Sequence, residues 1–140
     1  MNSTFPTAEE HASLAAEFPA MSMFDIFAEQ TRITGSYTNK VLANINQECL
    51  RLAVFEGEYR WHHHPDSDEL FLVVTGSLQI DFANGAQVTL TQWECLVVPR
   101  GTTHRTRALG RTVNLTFERL GAQTVFSEGP PNTTPPCLES

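Results

Sequence analysis

From residue 37 onward the chain is built of short apolar runs separated by turn residues, and this spacing constrains the fold more than any other feature. Runs rich in strand formers fall at 50–55, 70–74, 78–82, 88–90, 95–98 and 112–117. Between them stand Phe55-Glu56-Gly57-Glu58, Thr75-Gly76, Ala83-Asn84-Gly85 and Arg100-Gly101. Many short strands with a turn signal after each one predict an all-β sandwich or barrel. Asn84-Gly85, set between Phe82 and Val88, predicts a hairpin. No internal repeat is visible. The organisation expected is an N-terminal helical extension over 1–36, a barrel over 37–126 and a flexible Pro-rich tail over 127–140. In the extension, Thr7-Ala8-Glu9-Glu10 has the form of a capping box, opening a short helix that Phe18-Pro19 should stop. The apolar segment at 21–27 packs on the outside of the barrel, on a partner subunit, or over its own core.

Within this pattern one stretch carries chemistry. Trp61-His62-His63-His64-Pro65-Asp66-Ser67-Asp68-Glu69 is followed further on by Pro99-Arg100-Gly101-Thr102-Thr103-His104. On an extended strand alternate residues share a face, so His62 and His64 form a two-toothed imidazole clamp while His63 points away. Glu69 stands at the entrance of the next strand, and His104 lies just past a Pro-x-Gly corner. Three imidazoles and a carboxylate suit Fe, Mn, Ni, Co, Cu or Zn, and suit Ca or Mg poorly. The expected cofactor is therefore one divalent transition metal per chain, held by His62, His64, Glu69 and His104, with open positions for water, substrate or dioxygen.

These residues resemble the two motifs of the cupin family. Gly57, His62, His64, Glu69 and Gly76 match the first motif, and Pro99, Gly101 and His104 match the second. The stretch 64–82 is similar to small single-domain cupins and to the cupin part of sugar-phosphate isomerases. The resemblance implies a cupin-type double-stranded β-helix, a jelly-roll barrel, with the four residues as metal ligands. Three positions depart from the pattern: Gly57 sits one residue nearer the histidine pair than usual, Trp93 replaces the second motif's first glycine, and Ala108 replaces its asparagine. None of these is a ligand. Cupins with all four ligands include dioxygenases, isomerases, decarboxylases and proteins without known chemistry, so the resemblance leaves the reaction open.

Parity extends the site. Arg60 shares the strand face of His62 and is a candidate substrate clamp inside the barrel. It is equally an arginine at the barrel mouth, its head in water or paired with Glu58 or Glu118. Phe71 and Val73 share the face of Glu69 as apolar wall or core, and Phe71 is the candidate substrate contact. Thr102 and Thr106 follow His104, whereas Arg105 and Arg107 fall on a solvated outer face. His63 and Asp66 are candidates to orient a ligand imidazole. His11 is expected on an exposed helix surface.

The net charge of −7 and pI near 5.1 argue against nucleic-acid or anionic-membrane partners, leaving a small-molecule ligand. Eight of the nine basic side chains are arginines, which favours carboxylate or phosphate contacts and hence an anionic ligand. Cys49 and Cys95 read as buried strand thiols and Cys137 as a tail residue, consistent with a reducing cytoplasm. No signal sequence or membrane span is expected. The functional expectation is a metal-dependent enzyme, dioxygenase or isomerase type, acting on a small anionic molecule. The alternative is a metal-containing binding or sensing module without turnover. A homodimer is expected from the fold resemblance and the apolar segment at 21–27.

Overall fold

The computed structural model describes residues 5–128. Nine strands form one curled antiparallel sheet, preceded by helices α1 (Ala8–Ala12) and α2 (Ile26–Thr31). The strands are β1 (Tyr37–Ile45), β2 (Glu48–Glu58), β3 (His62–His63), β4 (Glu69–Thr75), β5 (Leu78–Phe82), β6 (Gln87–Leu90), β7 (Cys95–Val98), β8 (His104–Arg119) and β9 (Val125–Phe126).

β8 organises the barrel because it runs through both halves. Its C-terminal part, 113–118, lies between β2 and β4, and its N-terminal part is flanked by β5 and, at His104, by β3. The sequence shows only its apolar half. Residues 105–111 carry Arg105, Arg107, Gly110 and Arg111, which mask a strand that continues without a break in this structure. The expected hairpin at Asn84-Gly85 joins β5 to β6: Gly85 has φ +96°, and the Asn84 side-chain oxygen accepts from the Ala86 amide at 2.9 Å.

β2 is buried without interruption from Cys49 to Phe55, so it does not alternate. Both of its faces are covered. Ala53 and Phe55 join Tyr59, Phe71, Val73, Leu78 and Ile80 in the interior. Leu50, Leu52 and Val54 join Leu42, Val113 and Leu115 on the outer face, beneath Phe18, Phe24, Ile26 and Ile33. The segment around 21–27 thus packs on the outside of the sheet through Phe24 and Ile26, while Met21, Met23 and Phe27 remain exposed. The capping box is present, with Thr7 and Glu10 exchanging hydrogen bonds of 2.9 and 3.1 Å, but α1 ends at Ala12, well before Phe18-Pro19. Cys49 is buried as expected. Cys95 is exposed, because β7 is paired on one side only, with β4, and turns that residue to solvent. Cys137 and the Pro-rich tail from residue 129 lie outside the described residues.

Two turn positions test the backbone directly. Trp93, which replaces the expected glycine, keeps the left-handed backbone with φ +70° and is largely exposed. The turn geometry survives the substitution at the expense of strain, about 1–2 kcal/mol for a side chain in this region. Gly76 has φ +98°, and an added Cβ would lie 2.6 Å from Thr112 Oγ1 and 2.8 Å from the Arg111 carbonyl oxygen. Trp93→Gly is expected to raise the unfolding free energy by about 1 kcal/mol. Gly76→Ala should lower it by at least ~2 kcal/mol, because backbone must shift as well as strain. Urea denaturation of both variants measures the two signs.

Candidate metal centre

The four predicted ligands converge. His62 and His104 are direct cross-strand partners on β3 and β8, His64 follows β3, and Glu69 opens β4. All four are buried, and one donor atom from each lies within 4.8 Å of the others. The Nδ1 atoms face backbone carbonyls: His62 meets Arg60 O at 2.7 Å, His64 meets Gln123 O at 2.9 Å and His104 meets Thr102 O at 2.9 Å. An N–H donated there turns each Nε2 toward the cluster as the nitrogen that would ligate an ion once it carries no proton. Glu69 Oε1 lies 3.1 Å from His64 Nε2 and 3.7 Å from His104 Nε2. Yet Glu69 Oε1 and His104 Nε2 are both buried without a well-formed hydrogen bond among the described residues. Buried polar atoms left unmatched and aimed at one point fit a bound cation.

A second carboxylate stands beside the first. Glu118 on β8 is the cross-strand partner of Glu69, wholly buried, with Oε1 3.9 Å from His64 Nε2. Its Oε2 is 2.8 Å from Arg51 Nε, and Arg51 is itself 1% exposed. Arg51 also donates to Asn39 Oδ1 at 3.2 Å and to the His11 carbonyl at 2.9 Å. This charge pattern shifts the titrating groups in opposite directions. Burial, with the neighbouring His104 and His64, pushes His62 down to about 3. Burial would lower His64 too, but Glu69, Glu118 and the Gln123 carbonyl outweigh it and raise His64 to about 9. Burial favours the neutral form of Glu69, but the facing imidazoles of His104 and His64 outweigh it and hold that carboxyl well below its ordinary value. Burial and the charge on Glu69 lift Glu118 to about 7, against the pull of Arg51.

A cavity of about 40 Å³ adjoins the ligands, its wall including Phe71, Tyr59, Thr106, Asn114, Thr116 and His11. Phe71 and Thr106 are where parity placed them, and Val73 is core. Arg60 is not. It is exposed, its guanidinium 3.8 Å from the Phe126 ring centroid, and it is absent from the cavity wall. Parity from His62 fails there because the register shifts between Phe55 and Gly57 and residues 59–61 leave the ladder, turning Tyr59 inward instead. His11 is also corrected: it is 7% exposed and lines the cavity. Arg105 and Arg107 are on the outer face but are only partly solvated, paired with buried Asp81 at 3.1 and 3.0 Å. His63 pairs with Val125 away from the ligands. Asp66 acts one link away, since its Oδ1 accepts from the Gln123 amide at 3.0 Å and the Gln123 carbonyl holds His64.

Arg51, Glu118, Asn114 and Thr116 were missed as site residues. For the last three the signal is the alternation along β8, where Asn114, Thr116 and Glu118 alternate with Val113, Leu115 and Phe117; Arg51, on β2, carries no such signal. An ordinary half-buried strand would turn the apolar set inward. Here the polar set faces the interior, because the outer face is covered as well.

Comparison with known proteins agrees with the geometry. The cupin domain model (Cupin_2) matches residues 51–117. A cupin-2 domain-containing protein from Shewanella frigidimarina is 30% identical, with a TM-score of 0.65 over 69% of this chain and 93% of its own. The chain belongs to the cupin family. The uncharacterized protein YdbB of Bacillus subtilis is 46% identical over 109 residues, 78% of this cupin and 96% of YdbB. The fold is also similar to that of the DMSP lyase DddQ from Ruegeria pomeroyi DSS-3, at 18% identity and a TM-score of 0.58, over 70% of this chain and 54% of the lyase. No helix among the described residues of this cupin is long and apolar enough to cross a membrane.

Two outcomes follow for metal uptake. Replacing His64 by Ala removes one of four donors and should reduce bound metal at least tenfold in elemental analysis at limiting metal. With His64 titrating at about 9, an ion must displace its proton at neutral pH. Apparent affinity in chelator competition should therefore climb roughly tenfold per unit from pH 7 toward 9, and an affinity flat across that range would contradict ligation by His64.

Proposed function

We propose that this cupin is a metal-dependent enzyme of dioxygenase or isomerase type, holding one divalent transition metal per chain and acting on a small anionic organic molecule. The observation that carries this reading is the chamber beside the four donors, with a wall that is part aromatic and part polar. A purely structural ion site would be closed by its ligands. Four protein donors leave room for exogenous ligands on an ion that prefers five or six, and such an ion supplies Lewis-acid or dioxygen chemistry.

The chain's own residues set the charge and the orientation. Inside the barrel, Glu118 is matched by Arg51, and Glu69 offsets one charge of a divalent ion. One net positive charge remains, which a monoanion neutralises and a neutral molecule does not. Arg51 is turned to Glu118, Asn39 and the His11 carbonyl and does not line the chamber, and Arg60 is outside. The anionic group therefore meets the metal side of the chamber, with Phe71 and Tyr59 as apolar walls that exclude water from it.

One observation favours the alternative, a binding or sensing module without turnover. A cavity of about 40 Å³ holds roughly three waters, so anything beyond a few heavy atoms needs the wall to move. Screening small carboxylates against the metal-loaded protein, with and without oxygen, separates the two. Product formation that disappears in Glu69→Gln, with a drop of at least about a hundredfold, supports the enzyme. Carboxylate binding without any product supports the module. We also propose a homodimer through the exposed Met21, Met23 and Phe27. Light scattering should give twice the chain mass at micromolar concentration, and Phe27→Asp should shift the mass toward that of a single chain.

A further inference from the structure

Apart from Glu69 of the ligand set, three buried polar atoms of residues on the chamber wall have no hydrogen-bond partner among the described residues: His11 Nδ1, Asn114 Oδ1 and Thr116 Oγ1. Their residues are 7%, 2% and 3% exposed. A buried polar atom that nothing meets is costly, so three around one cavity call for a partner that the described residues do not provide.

His11 reaches the chamber by an arrangement that a surface helix would not need. A five-residue helix has no stability of its own, so tertiary contacts must hold it. The Phe5 ring packs edge-on against Tyr37 at 4.9 Å and Tyr59 at 5.0 Å, and the capping box closes the first turn. At the other end Arg51, anchored by Glu118, donates to the His11 carbonyl at 2.9 Å. The segment is therefore fixed at both ends, with the imidazole turned inward. Burial and the nearby Arg51 also push His11 down to about 4, so it stands in the chamber as a neutral ring that can donate at one nitrogen and accept at the other.

We infer that His11 contacts the bound substrate and, with Asn114 and Thr116, forms a recognition set for a hydroxyl group on a small carboxylate. The inference rests on the reading above, in which the carboxylate lies toward His62, His64, Glu69 and His104. A hydroxyl fits the orphan atoms because it both donates and accepts. Asn114 Oδ1 can only accept, the Thr116 hydroxyl does either, and one imidazole nitrogen does the remaining task. A second carboxylate fits less well, since it would offer Asn114 Oδ1 no proton. The N-terminal segment is then a specificity element of the site, not only a cover for the sheet.

Glycolate and acetate differ by this one hydroxyl and serve as probes. Both are titrated calorimetrically into the full chain, zinc-loaded and zinc-free, with zinc content measured in every sample. Glycolate should bind the wild type about tenfold more tightly than acetate, the increment of one well-made buried hydrogen bond. His11→Ala should bring glycolate down to the acetate value and leave acetate unchanged, while His11→Asn keeps part of the preference. Thr116→Val, far from the N-terminal segment in sequence, should also erode the preference, so loss of segment docking in one variant does not decide the matter alone. An equal loss for both acids in His11→Ala would make His11 a mere wall and overturn the inference. So would a wild type with no preference, or with no binding of either acid. Wild type without zinc would instead sink the metal reading, and the glycolate preference of the zinc-free protein still decides the role of His11.

Discussion

The Arg51–Glu118 ion pair is the interaction on which the rest of the interior depends. Glu69 and Glu118 face each other across the β4–β8 ladder, both buried, an arrangement that repulsion and desolvation would forbid if either stood alone. The barrel resolves this by assigning the carboxylates different cations. Glu118 takes the guanidinium at 2.8 Å, leaving Glu69 for the imidazole cluster. Arg51 also donates to β1, at Asn39, and to the N-terminal segment, at the His11 carbonyl. One side chain thus fixes the charge of the site, the strand beside it and the segment that closes it. A lysine could not make all three contacts, because it lacks the planar fork that reaches three directions at once.

This arrangement also explains why the outer face of the sheet had to be covered. When polar residues of β8 occupy the interior, the apolar residues between them face outward, and Val113, Leu115 and Phe117 would otherwise meet water. Phe18, Phe24, Ile26 and Ile33 from the N-terminal extension shield them. The extension thus has two jobs that follow from one inversion of the usual pattern. Its first part carries His11 into the chamber, and its second part seals the apolar face that a polar interior displaces.

The ligand set was legible in the sequence because it depends on short-range regularities. His62 and His64 are two apart, Glu69 opens a strand after a turn, and His104 follows a Pro-x-Gly corner, so parity and turn chemistry are enough. Parity failed at Arg60 after only two residues, because an irregularity near Gly57 and a break in the ladder at 59–61 reset the faces. Arg51 and His11 were illegible for a different reason, and so was the pairing of Glu118 with Arg51. Each acts through a partner tens of residues away, and nothing local distinguishes a buried His11 from an exposed one on a five-residue helix.

The polar interior has one more consequence, for the size of what the barrel can accept. Apolar cores tolerate volume changes by repacking, but a wall tied by directional bonds does not yield in the same way. The strands here are tied: β8 is hydrogen-bonded along its length to four others, and Arg51 joins β1, β2 and β8. The N-terminal segment lacks a continuous ladder of such ties: it meets the barrel through the Phe5 ring's contacts with Tyr37 and Tyr59, the hydrogen bond to the His11 carbonyl and the Glu17 and Phe18 amides, each 2.9 Å from a β1 carbonyl. A ligand larger than the 40 Å³ chamber would therefore meet less cooperative resistance at this segment than at a strand. Because that same segment carries His11, admitting a larger molecule there would move the group proposed to recognise it. The chamber consequently couples selection by size to selection by hydrogen bonding.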